Sequence, residues 1–221
     1  MDYASVSHLN LFLMINNHIY YSEKPIITPE FCNDLIAKFE QDPHLRSGST
    51  GNTNIVDDRI KKSTDLHITS HPGYEKEHAI LKKATMDELI EYKEKLQELV
   101  PVYYLTTINM KFPGFNMQRT LPGEYYHWHC DEDCSTGGAG YMRGITYIIY
   151  MNDIHNDGYT EFYDGTRIQP KQGHCLLFPA TWTYVHRGVP PVDETKYLCT
   201  GWCYYQGLVT PTDRQGNIRV V

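Results

Sequence analysis

The sequence predicts an α+β fold in which helices from the first half pack on one face of a β-sandwich or barrel built by the second. Three observations predict it. Apolar residues recur at helical spacing before Pro101, short segments rich in β-branched and aromatic residues follow it, and the gaps between those segments hold Pro-Gly, Gly-Gly and Asp-Gly turn signals. At 221 residues the chain is long enough for one domain with a substantial core. A single domain over 1–221 is expected, with residues 1–100 mainly helical support and residues 101–221 the β core.

Thr28 and Pro29 supply a cap and a proline at the first helical position, and Phe31, Leu35, Ile36 and Phe39 form an apolar stripe. A first helix follows, ending before Pro43. From His44 to Asn54 the chain is rich in Gly, Ser and Thr and reads as loop. A second helix fits Thr85 to Val100, where Thr85 and Glu88 read as a capping box, Leu89, Leu96 and Leu99 mark the buried side, and Pro101 stops it. Beyond it INMKF, QRTL, GITYIIYMN, TEFY, HCLLFP, TYVH and KYLCTGWCYY read as strands.

Composition excludes several classes. The formal charge of -7, from 27 acidic against 20 basic side chains, offers a phosphate backbone little to bind, so nucleic acid is not an expected partner. No apolar stretch approaches the ~20 residues that span a bilayer. The run from Leu9 to Ile15 lacks the basic flank and cleavage site of a signal peptide, so a soluble protein is expected. Six cysteines (32, 130, 134, 175, 199 and 203) without a secretion signal read as buried, reduced thiols and an intracellular setting.

The stretch from Tyr125 to Cys134, YYHWHCDEDC, holds two histidines, three carboxylates and two cysteines. Such groups lose hydration on burial that apolar neighbours do not replace, which points to a metal. On a regular strand His127, His129 and Asp131 share one face, while Tyr126, Trp128 and Cys130 share the other. His129-x-Asp131 with a distant histidine makes a 2-His-1-carboxylate triad suited to Fe(II). A second set takes His127 and His129 with Glu132, similar to the first metal motif of cupins, and Gly165 to His174 faintly echoes the second. A zinc site on Cys130 and Cys134 fails on distance: four residues of strand cover roughly 13 Å, too far to share one ion.

The C-terminal third chooses among them. His129-x-Asp131, Gly158-Tyr-Thr160-Glu-Phe162, Pro170-Lys-Gln-Gly173 leading to Phe178-Pro179, then His186, Pro191-Val192, Lys196 and Trp202 follow one another in that order. This pattern resembles the catalytic domain of prolyl 4-hydroxylases within the Fe(II)/2-oxoglutarate-dependent dioxygenase superfamily. The likeness is close from Gln118 to about Tyr204 and loose over helix one and Ser63.

The resemblance implies a double-stranded β-helix, or jelly roll, as the catalytic core. It implies Fe(II) on His129, Asp131 and His186, with 2-oxoglutarate and O2 as cosubstrates and ascorbate as an auxiliary. Lys196 would pair with the far carboxylate of 2-oxoglutarate, and Tyr150 and Thr160 would be further donors to it. The implied reaction is hydroxylation of a C–H bond, first of a peptidyl proline, releasing succinate and CO2. A peptide or protein substrate follows, with an amino acid as the smaller option. A cupin-type metalloenzyme using His127 and a non-catalytic jelly-roll binding module are the other readings. Two departures from the family pattern stand out: Thr120 replaces a tyrosine nine positions before the first iron ligand, and Asp157-Gly158 replaces Gly-Gly.

Overall fold

The computed structural model describes residues 15–16, 18–50, 55–69, 71–99, 110–112, 114–132 and 141–206. The first helix, α1 (Pro29–Glu40), follows from its local chemistry. Thr28 Oγ1 accepts from the Phe31 amide at 3.3 Å, Pro29 fills the first turn, and Cys32, Leu35 and Phe39 are buried. The second helix, α2 (Glu75–Leu99), starts ten residues before the expected Thr85. Its start is set by the Pro72-Gly73 turn, with Glu75 and Glu77 in the first turn. Thr85 lies inside the helix with its hydroxyl donating to the Leu81 carbonyl at 2.8 Å, and Glu88 accepts from the Tyr20 hydroxyl at 2.6 Å. The expected capping box is therefore not a cap. Among the described residues no helix is long and apolar enough to cross a membrane.

In chain order the strands are β1 (Ile15–Asn16), β2 (Ile19–Tyr21), β3 (Arg46–Ser47), β4 (Thr64–His67), β5 (Met110–Lys111), β6 (Asn116–Thr120), β7 (Tyr126–His129), β8 (Tyr141–Tyr150), β9 (Thr160–Phe162), β10 (Arg167–Ile168), β11 (Cys175–Pro179), β12 (His186–Gly188) and β13 (Lys196–Gln206). A nine-stranded sheet runs β1-β2-β11-β8-β13-β6-β4-β3, with β5 also on β13, and a four-stranded sheet runs β10-β9-β12-β7. Ladder pairs in both sheets are antiparallel, from β11 on β8 to β12 on β7. The fold is a double-stranded β-helix supported by helices. The first hundred residues do more than supply those helices, because β1 to β4 join the large sheet. Of the INMKF segment, Ile108 and Asn109 lie outside the described residues, as does the end of the expected loop at 51–54.

Strand alternation divides the large sheet by function. On one face Tyr20, Leu66, Met117, Ile145, Tyr147, Ile149, Leu177 and Cys199 pack with Leu35 and Phe39 of α1 and with Leu81, Leu89, Tyr92 and Leu96 of α2. On the other face Ile19, Ile148, Tyr150, Leu176, Phe178 and Leu198 meet Phe162 of the small sheet. The second cluster is the smaller, and the rest of the space between the sheets is an open cavity of about 720 Å3.

Candidate active site

The centre of the site is the pairing of β7 with β12, where His129 stands opposite His186. Gly188 stands opposite Tyr126, so β7 spends three residues where β12 spends two. That extra residue is a β-bulge, and it breaks the regular alternation. Tyr126 consequently lies on the same side as His129, with the two rings stacked at 3.5 Å, while His127 is exposed. The expectation that His127, His129 and Asp131 share a face is corrected in this respect. His127 is outside the cluster, and the cupin-type ligand set is not assembled.

His129, Asp131 and His186 converge, with potential ligand atoms all within 4.8 Å of one another. His129 Nε2 is 3.7 Å from Asp131 Oδ1, and His186 Nε2 is 3.8 Å from Asp131 Oδ2. Each imidazole is oriented by a backbone carbonyl: Nδ1 of His129 donates to His127 O at 2.7 Å, and Nδ1 of His186 donates to Tyr184 O at 3.0 Å. A carbonyl only accepts, so both Nε2 atoms are left with lone pairs for a cation. Burial, joined by the neighbouring His186, holds His129 well below the ordinary imidazole value and so favours its neutral, ligating form. Burial raises Asp131, but the two histidines and the Thr146 hydroxyl at 2.7 Å outweigh it and hold the carboxyl ionised. The imidazoles of His129 and His186 and the Asp131 carboxylate, beside open space, form a donor set that fits Fe(II).

Lys196 opens β13 and is 3% exposed, inside the same cavity. Its Nζ donates to the Gly158 carbonyl at 2.9 Å, and burial alone pushes its pKa down to about 8. Gly158 turns that carbonyl inward from a left-handed conformation, φ +63°, where an added Cβ would lie 2.7 Å from Ile154. Asp157 before it is also left-handed, φ +57°, a conformation that Asp tolerates better than most residues. The departure from Gly-Gly thus keeps the backbone path. Thr160 and Thr120 line the cavity as well, Thr120 standing opposite Lys196 across the β13–β6 ladder. Tyr150 does not line it; its hydroxyl, 2.7 Å from Thr160 Oγ1, sits in the inter-sheet core.

Sequence reasoning missed several neighbours of this centre. Thr146 holds Asp131 Oδ2, and Arg143 donates to the Asp131 carbonyl at 3.1 Å while its guanidinium covers the Trp202 ring at 3.6 Å. Behind Tyr126 a buried Lys61 pairs with Asp65 at 2.7 Å, and Asp65 also accepts from Ser63 and Asn116. Thr146 was findable, because GITYIIY alternates and Thr146, Ile148 and Tyr150 fall on one face. Cys130 is exposed at the cavity wall rather than buried, while Cys32, Cys175, Cys199 and Cys203 are buried free thiols. Cys134 and Tyr141 lie in regions whose side chains are not described. Trp128 and Trp182 are exposed, with Trp128 against Tyr163 and Arg187.

In this jelly roll a 2-His-1-carboxylate cluster and a buried lysine share one cavity, a donor set of the kind that non-haem Fe(II) oxygenases use. Residues 115–204, less than half of the chain, match the model of the 2OG-Fe(II) oxygenase superfamily. The chain is 28% identical over 100 residues to a putative prolyl 4-hydroxylase of Acanthamoeba polyphaga mimivirus, covering 38% of this chain and 41% of that one. It is 27% identical over 189 residues to procollagen-lysine,2-oxoglutarate 5-dioxygenase 1 of Gallus gallus, covering 80% of this chain and 23% of that one. The chain therefore spans less than half the length of either curated relative. Its fold is similar to that of a Trichoplax adhaerens prolyl hydroxylase solved with a hypoxia inducible factor oxygen degradation domain peptide, with a TM-score of 0.66, 15% identity and coverage of 93% and 94% of the two chains.

Proposed function

We propose that this chain hydroxylates a peptidyl proline, consuming 2-oxoglutarate and O2 and releasing succinate and CO2. The observation that carries the cosubstrate is Lys196, a buried ammonium whose hydrogen-bond partner is a single backbone carbonyl, in the cavity that also contains His129, Asp131 and His186. Burying a charge with so little compensation is costly, and a carboxylate arriving from solvent relieves that cost. A dicarboxylate could chelate a metal on the triad at one end and meet Lys196 and Thr160 at the other. Tyr150 then acts one step back, fixing the Thr160 hydroxyl.

Bound by His129, Asp131 and His186, Fe(II) supplies the redox chemistry that couples decarboxylation of 2-oxoglutarate to insertion of one oxygen atom into a C–H bond. The protein's own residues set up that chemistry. The carbonyls of His127 and Tyr184 fix the imidazoles, Thr146 fixes the carboxylate, and Ile148 and Leu198 keep the inner wall apolar. One atom of O2 goes to succinate and the other to the substrate, so no external reductant enters the coupled cycle.

A peptide substrate is supported by the size and openness of the cavity and by the prolyl hydroxylase relatives. The four buried thiols support an intracellular setting. The test gives anaerobically purified, Fe(II)-loaded protein 2-oxoglutarate, O2 and a panel of proline-rich peptides alongside lysine-containing ones. Succinate formation with a one-oxygen mass gain on proline supports the assignment. Gain on lysine alone reassigns the substrate, and absence of iron-dependent succinate under every condition removes the reaction.

A further inference from the structure

A second cluster of metal-type ligands lies away from the cavity, at the far end of α1. Asp42 follows the helix cap, its amide donating to the Phe39 carbonyl at 3.0 Å. Its carboxylate spans two histidines: Oδ1 is 3.1 Å from His44 Nδ1, and Oδ2 is 3.0 Å from His71 Nε2. The ligand atoms of all three residues lie within 4.8 Å of one another, and none of the three lines the cavity. We propose that Asp42, His44 and His71 form a second metal site, suited to Zn2+, that clips the end of α1 to the turn leading into α2.

Three features support this reading. The first is distance: a tetrahedral ion with bonds of about 2.0–2.1 Å holds its ligands about 3.3 Å apart. The two N···O separations, one on each carboxylate oxygen, would open by a few tenths of an ångström, and the other ligand atoms, already within 4.8 Å of one another, would draw in around the ion. The second is electrostatic. Asp42 is a nearly buried carboxylate, side chain 9% exposed, beside the C-terminal end of a helix, where the aligned peptide dipoles disfavour an anion. The partners of Asp42 are the His44 amide at 2.8 Å and the two imidazoles, while the nearby Lys38 is engaged by Glu77 at 2.7 Å. The third is the ligand chemistry. Imidazole and carboxylate together suit Zn2+, whereas Ca2+ and Mg2+ prefer an all-oxygen shell. The buried Tyr74 hydroxyl faces Asp42, and the Tyr74 ring packs 5.3 Å from His71.

The site joins parts of the chain that are 27 residues apart, between His44 and His71, and the intervening segment contains β3 and β4, the strands at one end of the large sheet. A bound ion would hold that segment's two ends together.

The triad of His129, Asp131 and His186 has a donor set that would also take zinc, so its contribution is removed first. Asp131→Ala removes the triad, and the full chain carrying it is titrated with Zn2+ alone by calorimetry, with bound metal counted after desalting. The expected result is two zinc equivalents on the wild type, one on Asp131→Ala, and at least tenfold weaker binding when His44→Gln or His71→Gln is added. His44 is 68% exposed, so His44→Gln leaves the packing intact, and circular dichroism with a melting curve confirms the fold of each variant. Zinc should raise the melting temperature of Asp131→Ala but not that of Asp131→Ala/His44→Gln. The proposal is overturned if Asp131→Ala binds no zinc, or if adding both histidine substitutions leaves its zinc affinity and stoichiometry unchanged.

Discussion

Replacing Lys196 by Met keeps the length of the side chain and removes its charge, which separates the cost of burying the ammonium from the cosubstrate contact proposed for it. Burial lowers its pKa from 10.5 to about 8. At ~1.4 kcal/mol per unit this means that the charged form costs the unliganded fold about 3 kcal/mol. The sign follows from proton counting. Below pH 8 folded and unfolded chains both hold the proton and the whole cost is present. Between pH 8 and 10.5 the unfolded chain keeps a proton that the folded protein has released, so this group makes stability rise with pH. Lys196→Met should therefore be more stable than wild type at pH 7, by about 1–3 kcal/mol, with the advantage shrinking as the pH approaches 10. Its affinity for 2-oxoglutarate should fall by about ten- to a hundredfold, the loss of a charge-assisted hydrogen bond of roughly 1.5–3 kcal/mol. Urea unfolding of both proteins at several pH values measures the first effect. Titration of 2-oxoglutarate into anaerobic Fe(II)-loaded protein, followed by its metal-to-ligand absorption, measures the second. Parallel stability curves together with an unchanged affinity would refute the assignment of Lys196.

Asp131→Ala should lose Fe(II) binding with the fold retained, whereas His127→Ala, at an exposed position outside the cluster, should bind Fe(II) as wild type does; equilibrium dialysis reads both. Thr146→Val removes the hydroxyl that holds Asp131 Oδ2, and metal affinity should drop by about ten- to a hundredfold with little change in melting temperature. Gly158→Ala forces a side chain into a left-handed position already filled by Ile154 and Pro191. It should destabilise by about 1–3 kcal/mol in urea and raise the 2-oxoglutarate requirement, because the carbonyl that fixes Lys196 moves.

Local signals in the sequence read true where the structure is local. The cap, proline and stripe of α1 lie within twelve residues and act within one helix. The start of α2 was misread because Thr85-x-x-Glu88 imitates a capping box, while the partner that explains Glu88 is Tyr20, 68 positions away. The strands β2 and β4 escaped notice for a related reason. Each is short, and β4 alternates a buried leucine with polar residues whose partners lie across the sheet on β6. At the site, His129, Asp131, His186 and Lys196 were legible because their order and spacing carry a family pattern. Which side of β7 faces inward was not legible, since the bulge that decides it exists only in the pairing with β12. Tyr150 and Thr160, both expected as hydroxyl donors to the cosubstrate, are hydrogen-bonded to each other at 2.7 Å, a pairing between strands that spacing does not encode.

The last strand has the two-sided construction of the whole sheet written along a single segment. Lys196, Leu198, Thr200, Trp202 and Tyr204 look into the cavity, whereas Cys199 and Cys203 are set into the packing beneath the helices. Reactivity and folding are thus interleaved on one segment at every second position. Such a strand can be rewritten one register at a time: the cavity-facing positions beyond Lys196 form a short alphabet for altering what the cavity accepts, and the positions between them are the punctuation that has to stay in place.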